Sequence, residues 1–423
     1  MNLEPSPRLP RVLRGYWLAI ACLTALGQIA TLFFRNLLHR DQYPFGPTYL
    51  PSIYNNLDFT CFADRFRFFH QAGFFAGYHQ QIFNYPAPVA LVYEAFYGVF
   101  SNPTQRFVQF SAFCYVAAIT LFTFALVRRG IRPLTAIAFG VSTLLLSYPA
   151  FLAFYLSNME FAVWLVLAIG ILNYVKGNGW AAAICFGVTG SFKYYPIIFL
   201  ALFLARRQYK QAALGVAVFL LSLIASLWVL GPTIPVAYHG LQHGLEQFRN
   251  QYIYDIHPLE SSIDHSLFAL LKAGLARLIL LRFLPKLLLP YLVFVSLLGI
   301  FLYLWRIRHL PILNQVLALT IASVLFPPVS HDYTLLHLYA PWGMLVLLLV
   351  DRRNDQIPSG AAAALACFAV LFTPQNWLII HHYRLAGQLK ALTLIFLLFL
   401  TLRFQFASRL DESAEMASPD RSF

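Results

Sequence analysis

The chain has 423 residues, of which 59% are hydrophobic, 17% aromatic and only 11% charged, with a mean hydropathy of +0.65. That excludes a soluble domain, which carries about a quarter charged residues, and at roughly 20 apolar residues per crossing it leaves room for about a dozen membrane spans. The net charge of +13 does not mark a nucleic-acid binder, because the basic residues stand in short clusters between apolar runs and form no phosphate-tracking groove.

The first apolar run, 16–34, follows Arg8, Arg11 and Arg14. It is too long for the apolar stretch of a signal peptide and no small-residue cleavage site follows, so it reads as a retained first span. Further basic clusters follow at Arg128, Arg129 and Arg132, at Lys176, and at Arg206, Arg207 and Lys210. The series closes with Arg306 and Arg308, Arg352 and Arg353, and Arg403 and Arg409. Placing them all in the cytoplasm, as the positive-inside tendency prefers, orders the apolar runs as 16–34, 107–127, 134–152, 160–175, 180–192, 194–205, 211–230, 288–305, 311–327, 334–350, 360–373 and 388–405. The expected fold is therefore an all-α integral membrane protein of about 12 transmembrane helices (11–13), one polytopic domain over 1–410 with both termini cytoplasmic. The polar stretch 411–423 reads as a disordered cytoplasmic tail. Runs 180–192 and 194–205 are short for a crossing, which predicts tilted or broken helices there. No repeated halves are visible.

Two long outer segments interrupt the spans, 35–106 and 231–287. Each contains a stretch that reads as an interfacial amphipathic helix, Phe62 to Phe75 and Leu267 to Leu284. The second carries Lys272, Arg277, Arg282 and Lys286, which either meet lipid phosphates or snorkel to headgroups. Ten of the seventeen acids, Asp58, Asp64, Glu160, Asp264 and Asp332 among them, fall outside or at the outer membrane edge. That puts the chemistry outside. The five cysteines show no metal-ligand spacing and suggest no disulfide, and no carboxylate or histidine cluster calls for a metal.

An acid among aromatics just after the first span is well placed to be a general base of raised pKa. Asp58 is that residue and Asp64 the runner-up, although acids are also common in solvated loops. Lys193 sits at the outer end of a span, where an ammonium is costly unless it meets an anion or snorkels out. Arg249 is a second candidate for an anion, and His265 and His331 suit phosphate or sugar hydroxyls as well as they suit satisfied structural histidines. Tyr85, Tyr252 and Tyr254 offer stacking faces for sugar or isoprenoid, though interfacial aromatic belts also account for such residues.

The order of these elements resembles the GT-C glycosyltransferases, and specifically glycosyltransferase family 87, the polyprenyl-phosphate-mannose-dependent mannosyltransferase group. The residues that carry the resemblance are Asp58-Phe59 in the first outer segment, then Tyr85-Pro86-Ala87-Pro88 before an apolar stretch. Lys193-Tyr194-Tyr195-Pro196 leads through an apolar run to Arg206-Arg207, Ser266-Leu267 stands near the end of the second outer segment, and Pro327 to Tyr333 forms a late turn bearing Ser330, His331 and Asp332. Cys61-Phe62 stands where the family commonly has tyrosines, and the late turn lacks the paired histidines of many members.

The resemblance implies a GT-C-like bundle in the plasma (inner) membrane with its active site on the extracytoplasmic face. It implies inverting transfer of a hexose, mannose above all, from a polyprenyl-phosphate donor to a lipid or glycan acceptor, with Asp58 as base. Lys193, Arg249, His265 and His331 would hold the donor phosphate, without a cofactor. The rival readings are a lipid-linked-sugar flippase or secondary transporter, which should carry ionisable residues near the bilayer midplane in repeated halves, and a membrane scaffold without catalysis.

Overall fold

The computed structural model describes residues 9–38, 85–145, 147–156, 158–254, 263–278, 281–352, 357–374, 379–380 and 383–406. Asp58, Asp64, the stretch Phe62 to Phe75 and the tail 411–423 lie outside the described residues.

The apolar runs fold as helices. In order they are α1 (Arg11–Leu38), α2 (Ala87–Val99), α3 (Pro103–Arg128), α4 (Pro133–Gly140), α5 (Tyr148–Leu156), α6 (Glu160–Val175) and α7 (Gly179–Phe192). A 3-10 turn Tyr195–Leu200 runs into α8 (Ala201–Ala205), followed by α9 (Tyr209–Leu230) and α10 (Ile234–Phe248). Then come α11 (Leu267–Arg277), α12 (Leu284–Trp305), α13 (Ile312–Leu325), a 3-10 turn Asp332–Leu338 leading into α14 (Tyr339–Arg352), α15 (Ala361–Phe372) and α16 (Ala386–Arg403). Several begin on a proline in their first turn, as α3 and α4 do, where the missing N–H costs nothing. A two-residue antiparallel ladder, Ile379–Ile380 with Tyr383–Arg384, precedes α16.

Five of the described helices are long and apolar enough to cross a membrane: Gln105–Arg128, Tyr209–Leu230, Leu281–His309, Asp332–Asp351 and Ala386–Arg403. The run expected at 134–152 is a helix pair bent by 62°, and counts as a sixth if it forms one span. Of the remaining runs, 16–34 lies within the 28-residue α1, and the others are shorter helices such as α6, α7, α13 and α15. Fourteen residues of helix reach only about 21 Å, less than the roughly 30 Å hydrocarbon core. The reason lies in their position. Every residue of α13 is buried, and a helix apolar all round belongs inside a bundle. Its polar side chains are satisfied there: Asn314 donates to the carbonyls of Thr401 and Phe404 and accepts from Phe406 N–H. By contrast α9 and α12 bury only 17% of their most apolar stretch and present Leu221, Trp228, Leu289, Leu297 and Phe301 outward, the faces lipid would cover.

Close approach between α7 and α9 depends on glycine. A Cβ added to Gly187 would lie 2.5 Å from the Gly215 carbonyl oxygen, so the two backbones meet as only small residues allow.

The stretch Leu267 to Leu284, expected as one interfacial helix, ends instead at Arg277, and Pro285 opens the next helix in its first turn. Lys272 departs from its expected place. It is buried, its Nζ donating to the Tyr252 carbonyl at 2.8 Å and standing 3.6 Å from Asp264 Oδ2, so it meets neither lipid phosphate nor headgroup. Arg282 and Lys286 are exposed.

Several charged side chains gather at one or the other end of the helices. At one end Arg129 pairs with Asp351 at 2.8 Å, Arg306 donates to the Leu402 carbonyl and Arg206 lies over the Tyr174 ring. At the other end the opposite termini of α6, α7, α14 and α16 gather Glu160, Lys193, His337, Asp332 and Lys390.

Candidate active site

Lys193 owes its place to a break in the chain. Pro196 has no N–H to offer the Phe192 carbonyl, so α7 stops at Phe192 and the chain restarts as a 3-10 turn at Tyr195. Between them Lys193 is extended, at φ −143° and ψ 131°. Its Nζ lies 3.4 Å from Glu160 Oε2, 4.4 Å from the centre of the Tyr85 ring and 5.6 Å from that of Tyr333.

Glu160 opens α6, where the N-terminal dipole favours an acid. Its backbone N–H donates to Asn158 Oδ1, and the Asn158 amide donates to the Tyr85 hydroxyl at 2.9 Å. Glu160 Oε1 accepts from Tyr195 and meets His337 Nε2, and Tyr195 and His337 are themselves 3.1 Å apart. The side chains of Glu160 and His337 are wholly buried, whereas that of Lys193 is 16% exposed. Lys193 is thus the charge of this cluster that a ligand can reach.

A second buried cluster stands on the 3-10 turn Asp332–Leu338, which also carries His337. Asp332 takes Lys390 Nζ at 2.6 Å on one oxygen and His265 Nδ1 at 3.3 Å on the other, with all three side chains wholly buried. His265 Nε2 is within hydrogen-bonding distance of Ser330 and Thr334. Asp264 accepts from the backbone N–H groups of Ser266 and Ser330 and forms a β-bridge with His331. The end of the second outer segment is thereby sewn to the late turn.

Tyr333 connects the expected residues. Its ring faces Lys193 on one side and stands edge-on to His331 at 5.6 Å, and His331 stands edge-on to Tyr252 at 6.1 Å. Four of the residues singled out from the sequence, Tyr85, Lys193, His331 and Tyr252, therefore lie in one row. Tyr85 is 5% exposed, and Lys193 rather than an open space occupies its face. His265 is buried in the second cluster, Tyr254 packs with the group around Phe268 and Leu284, and Arg249 is exposed at the start of the π turn Arg249–Ile253.

Sequence reasoning gave Glu160 no place beyond that of an outer acid, named Asp332 and Tyr195 only within motifs of the resemblance, and passed over His337 and Lys390. The signal for the last two was present: each is a lone ionisable residue inside an apolar run, and such residues are costly enough in a membrane to mark a site. Among the described residues no three His, Cys, Asp or Glu side chains are grouped to hold a metal.

The family model of glycosyltransferase family 87 matches residues 83–330, more than half of the chain. The chain belongs to glycosyltransferase family 87. No curated protein and no solved structure matches it. The family 87 segment holds Tyr85, Glu160, Lys193, Tyr252 and His265, and ends at Ser330. Family 87 membership makes this a membrane glycosyltransferase that takes a sugar donor and an acceptor, and it decides against the flippase, transporter and scaffold readings. Asp58, Asp332, His337 and Lys390 fall outside the family 87 match.

Proposed function

We propose that this glycosyltransferase moves a hexose, mannose in the first instance, from a polyprenyl-phosphate-linked donor to a lipid or glycan acceptor on the extracytoplasmic face of the plasma (inner) membrane, with inversion and within a GT-C-like bundle. The observation that carries the reading is the row Tyr85, Lys193, Tyr333, His331 and Tyr252. It is built from the helix ends and the outer segment that the basic clusters assign to one side of the membrane, and its reachable charge is a cation.

The acceptor hydroxyl attacks the sugar's anomeric carbon and gives its proton to Asp58, with Asp64 the alternative base. The bond from that carbon to the phosphate oxygen breaks, and its electron pair leaves with the lipid phosphate. Lys193 stabilises the charge that develops there, as a preorganised cation at the leaving oxygen does. The phenol and imidazole of Tyr333 and His331 line the way from Lys193 toward Tyr252, on the scale of a sugar ring. Arg249 is an exposed second cation for the phosphate.

The test is transfer itself. Purified protein in lipid nanodiscs, given labelled polyprenyl-phosphate hexoses and a lipid extract, should glycosylate one acceptor with inverted anomeric configuration. Transfer from a nucleotide sugar alone, or a retained configuration, would sink the reading.

A further inference from the structure

Glycosyl transfer from a lipid phosphate has an electrostatic problem built into it. The donor is a phosphodiester with one negative charge, and the product is a phosphomonoester with about −1.5 to −2 charges at neutral pH. A fixed cation that helps the phosphate leave therefore holds the spent lipid more tightly than the fresh donor. An enzyme with such a cation alone would be inhibited by its own product.

The structure shows a carboxylate placed to counter this. Glu160 Oε2 lies 3.4 Å from Lys193 Nζ and, among the described residues, accepts no hydrogen bond of its own. The other oxygen is held by Tyr195 and His337, and the backbone is pinned at the start of α6 by Asn158, so the carboxylate cannot swing away. Glu160 is wholly buried and Lys193 is partly exposed, so an incoming phosphate meets the ammonium from the open side with the carboxylate behind it. The phosphate is then drawn by one charge and repelled by the other, and the net pull grows less steeply with phosphate charge than it would toward a lone lysine.

We propose that Glu160 is a counter-ion that speeds release of the lipid phosphate product by competing for Lys193. Glu160 is a positioning residue in this scheme, and the inference rests on Lys193 being the phosphate ligand of the proposed function.

The experiment uses the full chain in nanodiscs and measures two constants, the KM for the polyprenyl-phosphate hexose and the inhibition constant of a polyprenyl monophosphate. Glu160→Gln keeps the size of the side chain and an oxygen for Tyr195 while removing the charge. It should tighten product inhibition by on the order of tenfold, lower the donor KM by a smaller factor, and give a first turnover followed by a slower steady state. Glu160→Asp, which keeps the charge but draws it back by one methylene, should tighten product inhibition by a smaller factor, and it serves as the test if the Gln variant does not fold. The tightening must disappear in Lys193→Ala/Glu160→Gln. Product inhibition that is unchanged or weaker in both Glu160 variants would overturn the inference. If Lys193→Ala weakens donor and product alike while the Glu160 variants leave inhibition unmoved, the counter-ion role alone fails. If Lys193→Ala changes neither constant in an active enzyme, Lys193 is not the phosphate ligand, and that part of the proposed function fails with it.

Discussion

A lysine at the end of a membrane helix must settle its charge somewhere, and here Glu160 supplies the anion from within the protein. The cost of an unpaired ammonium is therefore met before any donor arrives, and what suits Lys193 to a phosphate is its partly exposed side chain and the aromatic row beside it. Lys390 is settled more completely, since both it and Asp332 are wholly buried at 2.6 Å. Removing one member of such a pair strands the other and costs about 3–5 kcal/mol. Lys390→Met should lower the thermal midpoint of the solubilised protein, and Asp332→Asn in the same chain should recover much of the loss; a single variant as stable as the parent would show that the pair is not formed. For catalysis the decisive residue is Asp58. Asp58→Asn keeps size and polarity but cannot accept a proton, so turnover should fall by about 10²–10⁴-fold with donor binding preserved. Asp64→Asn should be much milder. A dead Asp64 variant beside an active Asp58 variant would exchange the two roles.

Helices behave less simply than the apolar runs that encode them. The break after Phe192 was legible, because the runs on either side are short and Pro196 stands near the start of the second. The brevity of α13 was not, because an apolar run reads the same whether lipid or protein surrounds it. Only the contacts reveal that α13 is enclosed on every side, while α9 and α12 carry the outward faces. The fate of Lys272 was hidden for a similar reason: its partners are Asp264 and a backbone carbonyl, and no periodicity reports those. The contact between α7 and α9 is a good test of the packing. Gly187→Val would set a branched side chain against the Gly215 carbonyl oxygen and Val218, neither of which can yield as a flexible side-chain tip would. Overpacking of this kind costs about 1–3 kcal/mol, and because α7 ends at Lys193, activity should fall further than stability. An equally stable and active Gly187→Val protein would mean that the helices do not approach so closely.

For the molecule as a whole, the family and the helical membrane architecture were legible from the order of short motifs and basic clusters, and the assembled site was not. Its side chains come from positions 85, 160, 193, 252, 331, 333 and 337, and no spacing rule joins residues so far apart. Sidedness is tested directly. With the basic clusters in the cytoplasm, Lys210→Cys should resist an impermeant thiol reagent in intact cells while Gln242→Cys reacts; the opposite pattern would invert the protein and put the row on the wrong face for an outer-leaflet donor. The pairing of Asp332 with Lys390 also bears on how the protein is made. The two residues are 58 positions apart, and translation at about 5–20 residues per second separates their synthesis by roughly 3 to 12 s. Throughout that interval the nascent chain holds a carboxylate with no lysine to meet it, and a chain cut short before α16 holds it for good. Insertion of the last helix is thus the step that brings Asp332 its lysine, and until then His265 is its one partner in the pair of contacts described above.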